Sequence, residues 1–173
     1  RAAARSEHVL SLQNVVDLVT AAAVGIDGWV TKKHVRGLDE FAVRDIAESA
    51  LAVLLESFDV LADVVEELVT PRELRDSSLL GSITILRALL GAFHVLAVEG
   101  NRVDPVGEAR ARGVFAALAP SMELPVGPVW MATGTFTSPT SRAPTARRQD
   151  LRFLVDFIAS LAPESVLTAR PGP

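Results

Sequence analysis

Apolar residues recur every three or four positions along most of this chain, and that spacing predicts helices. Val9, Leu12, Val16, Val19 and Ala23 form one stripe within a first helix over 7–24, which Gly25 and Gly28 end. A second helix is expected over 39–57, with Phe41, Ile46, Ala50, Val53 and Leu54 facing inward. Asp39 and Glu40 suit its first turn, where the helix dipole favours carboxylates. Residues 58–68 suggest a short third helix.

TPRE at 70–73 is the clearest local signal. Thr70 is placed to cap, Pro71 fits the first helical position and Glu73 completes a capping box. From Ser78 to Val98 the pattern is apolar nearly all round, as in a helix buried on most sides, with Gly81 and Gly91 allowing close approach by neighbours. Glu99-Gly100-Asn101 ends it, and Asp104-Pro105 starts a further helix running to about Ala119. The stretch 120–145 then holds five prolines, with VWMATGTF reading as a short strand or extended segment. A last helix is expected over 145–161, lined by Leu151, Leu154, Val155, Ile158 and Leu161. The sum is an all-α bundle of about six helices with one irregular proline-rich segment. It is read as a single domain over 1–162 followed by a disordered tail over 163–173.

Composition narrows the class. Of 173 residues, 49% are hydrophobic and 22% charged, a globular balance. There is no cysteine, which removes disulfides, thiolate metal ligands and a thiol nucleophile, and fits a cytoplasmic protein. Scarce lysine, no tyrosine and abundant Ala and Arg suit a high-GC bacterial source. The most apolar stretch, Leu79–Val98, carries Arg87 and His94, so no membrane span is expected. Nor is a signal peptide visible. A start at Arg1 rather than Met suggests a C-terminal piece of a longer protein.

Candidate chemistry is sparse. His8, His34 and His94 are far apart and lack ligand-spaced partners, and neither HExxH, a phosphate loop, GxGxxG nor GxSxG occurs. No metal and no cofactor is expected. Arg87 and His94 sit seven residues apart, two turns along one helix face. An Arg beside a His stabilises a scissile phosphate and moves a proton. That spacing resembles the signature of the HEPN family of all-α ribonucleases and toxins, although Ala88 and Leu89 stand where a polar residue often follows the arginine. The alternative is a buried polar pair.

The net charge is -4, and the acidic excess is concentrated over 39–76, where eleven carboxylates face three arginines. This is a solvated face or a docking surface for a basic partner. Against it stand two basic clusters: Lys32, Lys33, His34 and Arg36 between the first two helices, and Arg147, Arg148 and Arg152 at the start of the last. Cations at a helix N-terminus oppose the dipole, so an anion is expected beside them. Either it is a phosphate, with Gln149 adding a hydrogen bond, or it is a carboxylate from the 39–76 helices acting as a clamp.

GWVTKKHVR, LLGSITILRALLGAFH and APTARRQDLR, in that order, resemble the C-terminal half of the DndB-like, DGQHR-domain family tied to DNA sulfur modification (phosphorothioation). The resemblance runs from about Leu10 to Leu161, and the DGQHR segment would lie upstream. It implies a non-catalytic, DNA-binding regulator of the transcriptional-repressor type, with the basic residues facing DNA. A HEPN-like ribonuclease using Arg87 and His94 is the runner-up. A protein-interaction domain, or a homo-oligomer, is the remaining alternative.

Overall fold

The computed structural model describes residues 10–27 and 39–163. Among them eight α-helices form: α1 (Leu12–Val24), α2 (Glu40–Ser57), α3 (Asp59–Val65), α4 (Pro71–Ser77), α5 (Ile83–Ala97), α6 (Pro105–Leu118), α7 (Pro128–Met131) and α8 (Arg148–Ser160). The only strands among the described residues are β1 (Val98–Glu99) and β2 (Arg102–Val103), an antiparallel pair with Val98 opposite Val103. The fold is therefore all-α, as the periodicity predicts. The first helix opens at Leu12, with residues 10 and 11 outside it; residues 7–9 of its expected span, His8 and Val9 among them, His34 and the expected tail beyond Pro163 lie outside the described residues.

The capping signals place the helix starts. Thr70 accepts from the Glu73 backbone N–H while the Glu73 carboxylate accepts from the Thr70 N–H at 2.8 Å, so α4 opens with both halves of the box. Asp104 accepts from the Gly107 N–H at 2.7 Å, with Pro105 in the first turn of α6. Ser11 and Asp39 cap α1 and α2 in the same way.

Helix α5 is the hub. Ile85, Ala88, Leu89, Ala92 and Phe93 are fully buried, and α1, α6 and α8 pack around it. Glycine sets two of these approaches. A Cβ on Gly91 would lie 2.7 Å from both Val155 Cγ2 and Ile26 Cγ2, and one on Gly107 would lie 2.1 Å from the Leu96 carbonyl oxygen. Side-chain methyls at Gly91 and backbone at Gly107 leave no room for a further methyl group.

Four expectations need correction. The central helix begins at Ile83 rather than Ser78, because Ser78 caps a 3-10 turn over Leu79–Gly81 that folds back against Arg75. Its far end passes into a hairpin, with Gly100 and Asn101 both at positive φ (55° and 61°) as a two-residue type I′ turn requires. In α1 the expected stripe is only half right: Leu12 is 82% and Val16 50% exposed, while Val19 is half-buried and Ala23 buried, and the inward face is completed by Leu18, Ala21 and Ala22. The small alanine face lets α1 lie close on α5, which the larger residues would prevent. Phe41 is exposed too, and Leu161 lies past the end of α8, 41% exposed.

The proline-rich stretch is irregular over most of its length, as expected, but VWM of VWMATGTF is helical rather than a strand. Its residues Pro128–Met131 form α7, which buries Trp130 completely. The indole N–H donates to the Ser121 carbonyl at 2.9 Å, and the ring meets Phe136 and Phe157 edge-on. Thr145 closes the segment by donating its N–H to the Thr135 carbonyl at 2.8 Å.

Candidate nucleic-acid interface

Helix α8 buries Leu151, Leu154, Val155 and Ile158 against the body, leaving Arg148, Arg152 and Asp156 on its outer side. It starts three residues later than the sequence suggests. Thr145 stands before the helix and its hydroxyl lies 2.7 Å from the Asp150 carboxylate, so the first turn holds its own acidic residue. Arg147 is the N-cap, without a side-chain cap bond, and Arg148 is the first helical residue. Arg147 is exposed and joins no ion pair among the described residues.

The anion beside Arg148 and Arg152 is not a carboxylate of the 39–76 helices, as the clamp reading expected, but Asp27, which follows α1. Arg152 grips it with two nitrogens, Nη2 at 2.6 Å from Oδ1 and Nε at 3.0 Å from Oδ2. Arg148 Nη2 stands 3.5 Å from the same Oδ1. The Arg152 hydrogen bond, aided by the charges of Arg152 and Arg148, holds the Asp27 carboxyl below the usual carboxylate range against a smaller opposing effect of desolvation. Asp27 in turn raises the Arg152 guanidinium. The clamp to the acidic helices exists as well, but through another residue: Arg142 pairs with Asp76. Part of the acidic face is neutralised in the same manner, Glu48 by Arg44 and Glu56 by Arg112, each within 2.8 Å.

Lys32, Lys33 and Arg36 lie outside the described residues. Their place in the chain is nonetheless informative. Asp27 is the last described residue before the segment that carries them.

His94 belongs to this region and Arg87 does not. The His94 Nδ1 lies 2.9 Å from the Ala22 carbonyl, which only accepts, so Nδ1 carries a proton and the neutral ring keeps its lone pair on Nε2. His94 lines a cleft of about 240 Å³ with Gly25, Asp27, Arg152 and Asp156. Arg87 is absent from that lining, and its Nε is buried without a hydrogen-bond partner. Asp27 was invisible to sequence reasoning. Its partners are 121 and 125 residues away, and no local spacing marks it. Comparison of this chain with protein-family models, curated proteins and solved structures finds no match.

Proposed function

We propose that this chain is a non-catalytic helical binding domain whose ligand is DNA, held by the arginine-bearing start of α8 together with the basic segment after Asp27. The observation that carries the reading is the Asp27 clamp, which ties the origin of that segment to Arg148 and Arg152. Both side chains remain more than half exposed, at 63% and 57%, so a phosphate can reach them. Arg147 has no competing carboxylate among the described residues, and it stands at the start of a helix without a side-chain cap bond. The resemblance to the DndB-like family supplies DNA as the nucleic acid and regulation of phosphorothioation genes as its use.

The test is duplex binding by the full chain, followed by fluorescence anisotropy over a salt series. Arg147→Ala/Arg148→Ala is expected to weaken binding and to flatten the log–log salt slope by about one unit for each phosphate no longer neutralised. Asp27→Asn, which removes the competing carboxylate, is expected to tighten binding at low salt. Unchanged affinity and slope in the arginine variant sink the reading.

The HEPN-like ribonuclease is the other reading, although Arg87 does not line the His94 cleft and its Nε is buried. RNA cleavage in EDTA that Arg87→Ala and His94→Ala both abolish would favour it over DNA binding.

A further inference from the structure

A cleft of about 480 Å³, away from α8, opens between the α2–α3 junction, the end of α4 and the turn at 119–124. That volume is in the range of small-molecule sites. Its floor is apolar and rigid. Phe58, Leu80 and Met122 are each at most 2% exposed, and Phe58 stacks on Phe115 with ring centroids 5.9 Å apart. Backbone bonds lock the walls together: the Leu79 N–H donates to the Met122 carbonyl at 2.8 Å, and the Leu124 N–H to the Ser77 carbonyl at 2.9 Å.

The polar groups of this cleft share one character. Ser57 lines it, is 91% buried by its 9% exposure, and its Oγ has no hydrogen-bond partner. A buried hydroxyl left unbonded is costly and calls for a partner. Asp59 and Glu123 stand at the rim and join no ion pair among the described residues, unlike neighbouring Glu56 and Asp76, which arginines hold. No Lys, Arg or His lines the cleft. Every unfilled side chain there is therefore able to accept a hydrogen bond, and the net charge is negative.

We propose that this cleft binds a small organic cation, an amine or guanidine with an apolar body. The body lies on Val60, Ala119 and Leu124, the half-exposed apolar lining above that floor. The charged head gives its N–H groups to the Asp59 and Glu123 carboxylates and to the Ser57 oxygen. A carboxylate ligand is rejected by like charge at the rim, and a neutral isostere loses the ionic contacts.

The experiment uses the full chain with phenethylamine as the probe, and 2-phenylethanol and 3-phenylpropanoate as its neutral and anionic counterparts. Amide shifts are followed by NMR. Phenethylamine is expected to give saturable shifts in the millimolar range, centred on residues 57–60, 77–80 and 119–124, with 2-phenylethanol weaker and 3-phenylpropanoate silent. Asp59→Asn/Glu123→Gln should weaken the probe about three- to tenfold, the scale of two exposed ionic contacts. Glu123→Gln alone, outside any helix, gives the same direction if the double variant folds poorly. Ser57→Ala should weaken the probe while leaving the melting temperature unchanged or raised. Asp45→Asn, in a different cleft, should change nothing. The proposal fails if no shift saturates, if the anion binds as well as the amine, or if the rim variants bind the amine like wild type.

Discussion

Two glycines in one helix show how much a single position depends on what faces it. Gly107 and Gly113 both lie in α6, but a Cβ on Gly107 would strike the Leu96 backbone, whereas one on Gly113 meets nothing within 4 Å. Gly107→Ala should therefore destabilise by about 2–3 kcal/mol through overpacking. Gly113→Ala should stabilise by about 1 kcal/mol through helix propensity. Urea midpoints of the two variants check both signs. Acid sensitivity is also a matter of single residues. The folded Asp27 carboxyl is depressed by Arg152 and Arg148, so its contribution is fully present above its unfolded pKa and is lost as pH falls through the folded one. The stability gap between wild type and Asp27→Asn should be widest near neutral pH and shrink below about pH 4, read by denaturation at several pH values. Glu73 behaves alike, its carboxyl lowered first by the Thr70 backbone N–H and then by the Thr70 hydroxyl, so the α4 cap weakens in acid with the same sign.

Helices were legible where a few adjacent residues specify them. TPRE fixed the start of α4 and Asp104-Pro105 that of α6, because a cap bond spans only three residues. What periodicity left open was which face of α1 turns inward. Its Leu12, Val15 and Val16 are exposed, while Ala21 and Ala22, weaker hydrophobes, are at most 2% exposed against α5. Leu12→Gln should accordingly change stability by no more than about 0.5 kcal/mol. Ala22→Leu should cost about 1–3 kcal/mol, because the alanine face sets the spacing of α1 and α5. Thermal melts distinguish the two. The one-turn helix α7 was also illegible, since so short an element has no period and is held by what Trp130 packs against.

At the scale of the molecule, α5 gathers the other helices, and the 120–145 segment is fastened to them through Trp130. Trp130→Ala should remove about 3–5 kcal/mol and expose the segment to limited proteolysis before the rest of the chain. Trp130→Phe, which keeps most of the packing but loses the indole bond to Ser121, should fall between that variant and wild type. The candidate interface belongs to this scale too. Asp27 follows α1 and its arginines stand on α8, and both helices reach one another only because each packs on α5.

The sequence by itself determined the helical class and the capped starts of α2, α4 and α6, since periodicity and caps act within a turn or two. The tertiary structure alone decided that the anion beside Arg148 is Asp27, that His94 joins Arg152 rather than Arg87 at a cleft, and that Ser57 is left without a partner. Those outcomes depend on side chains brought together across long stretches of chain. Their positions follow from how closely α1 and α8 approach α5, which alanine and glycine permit at Ala22 and Gly91.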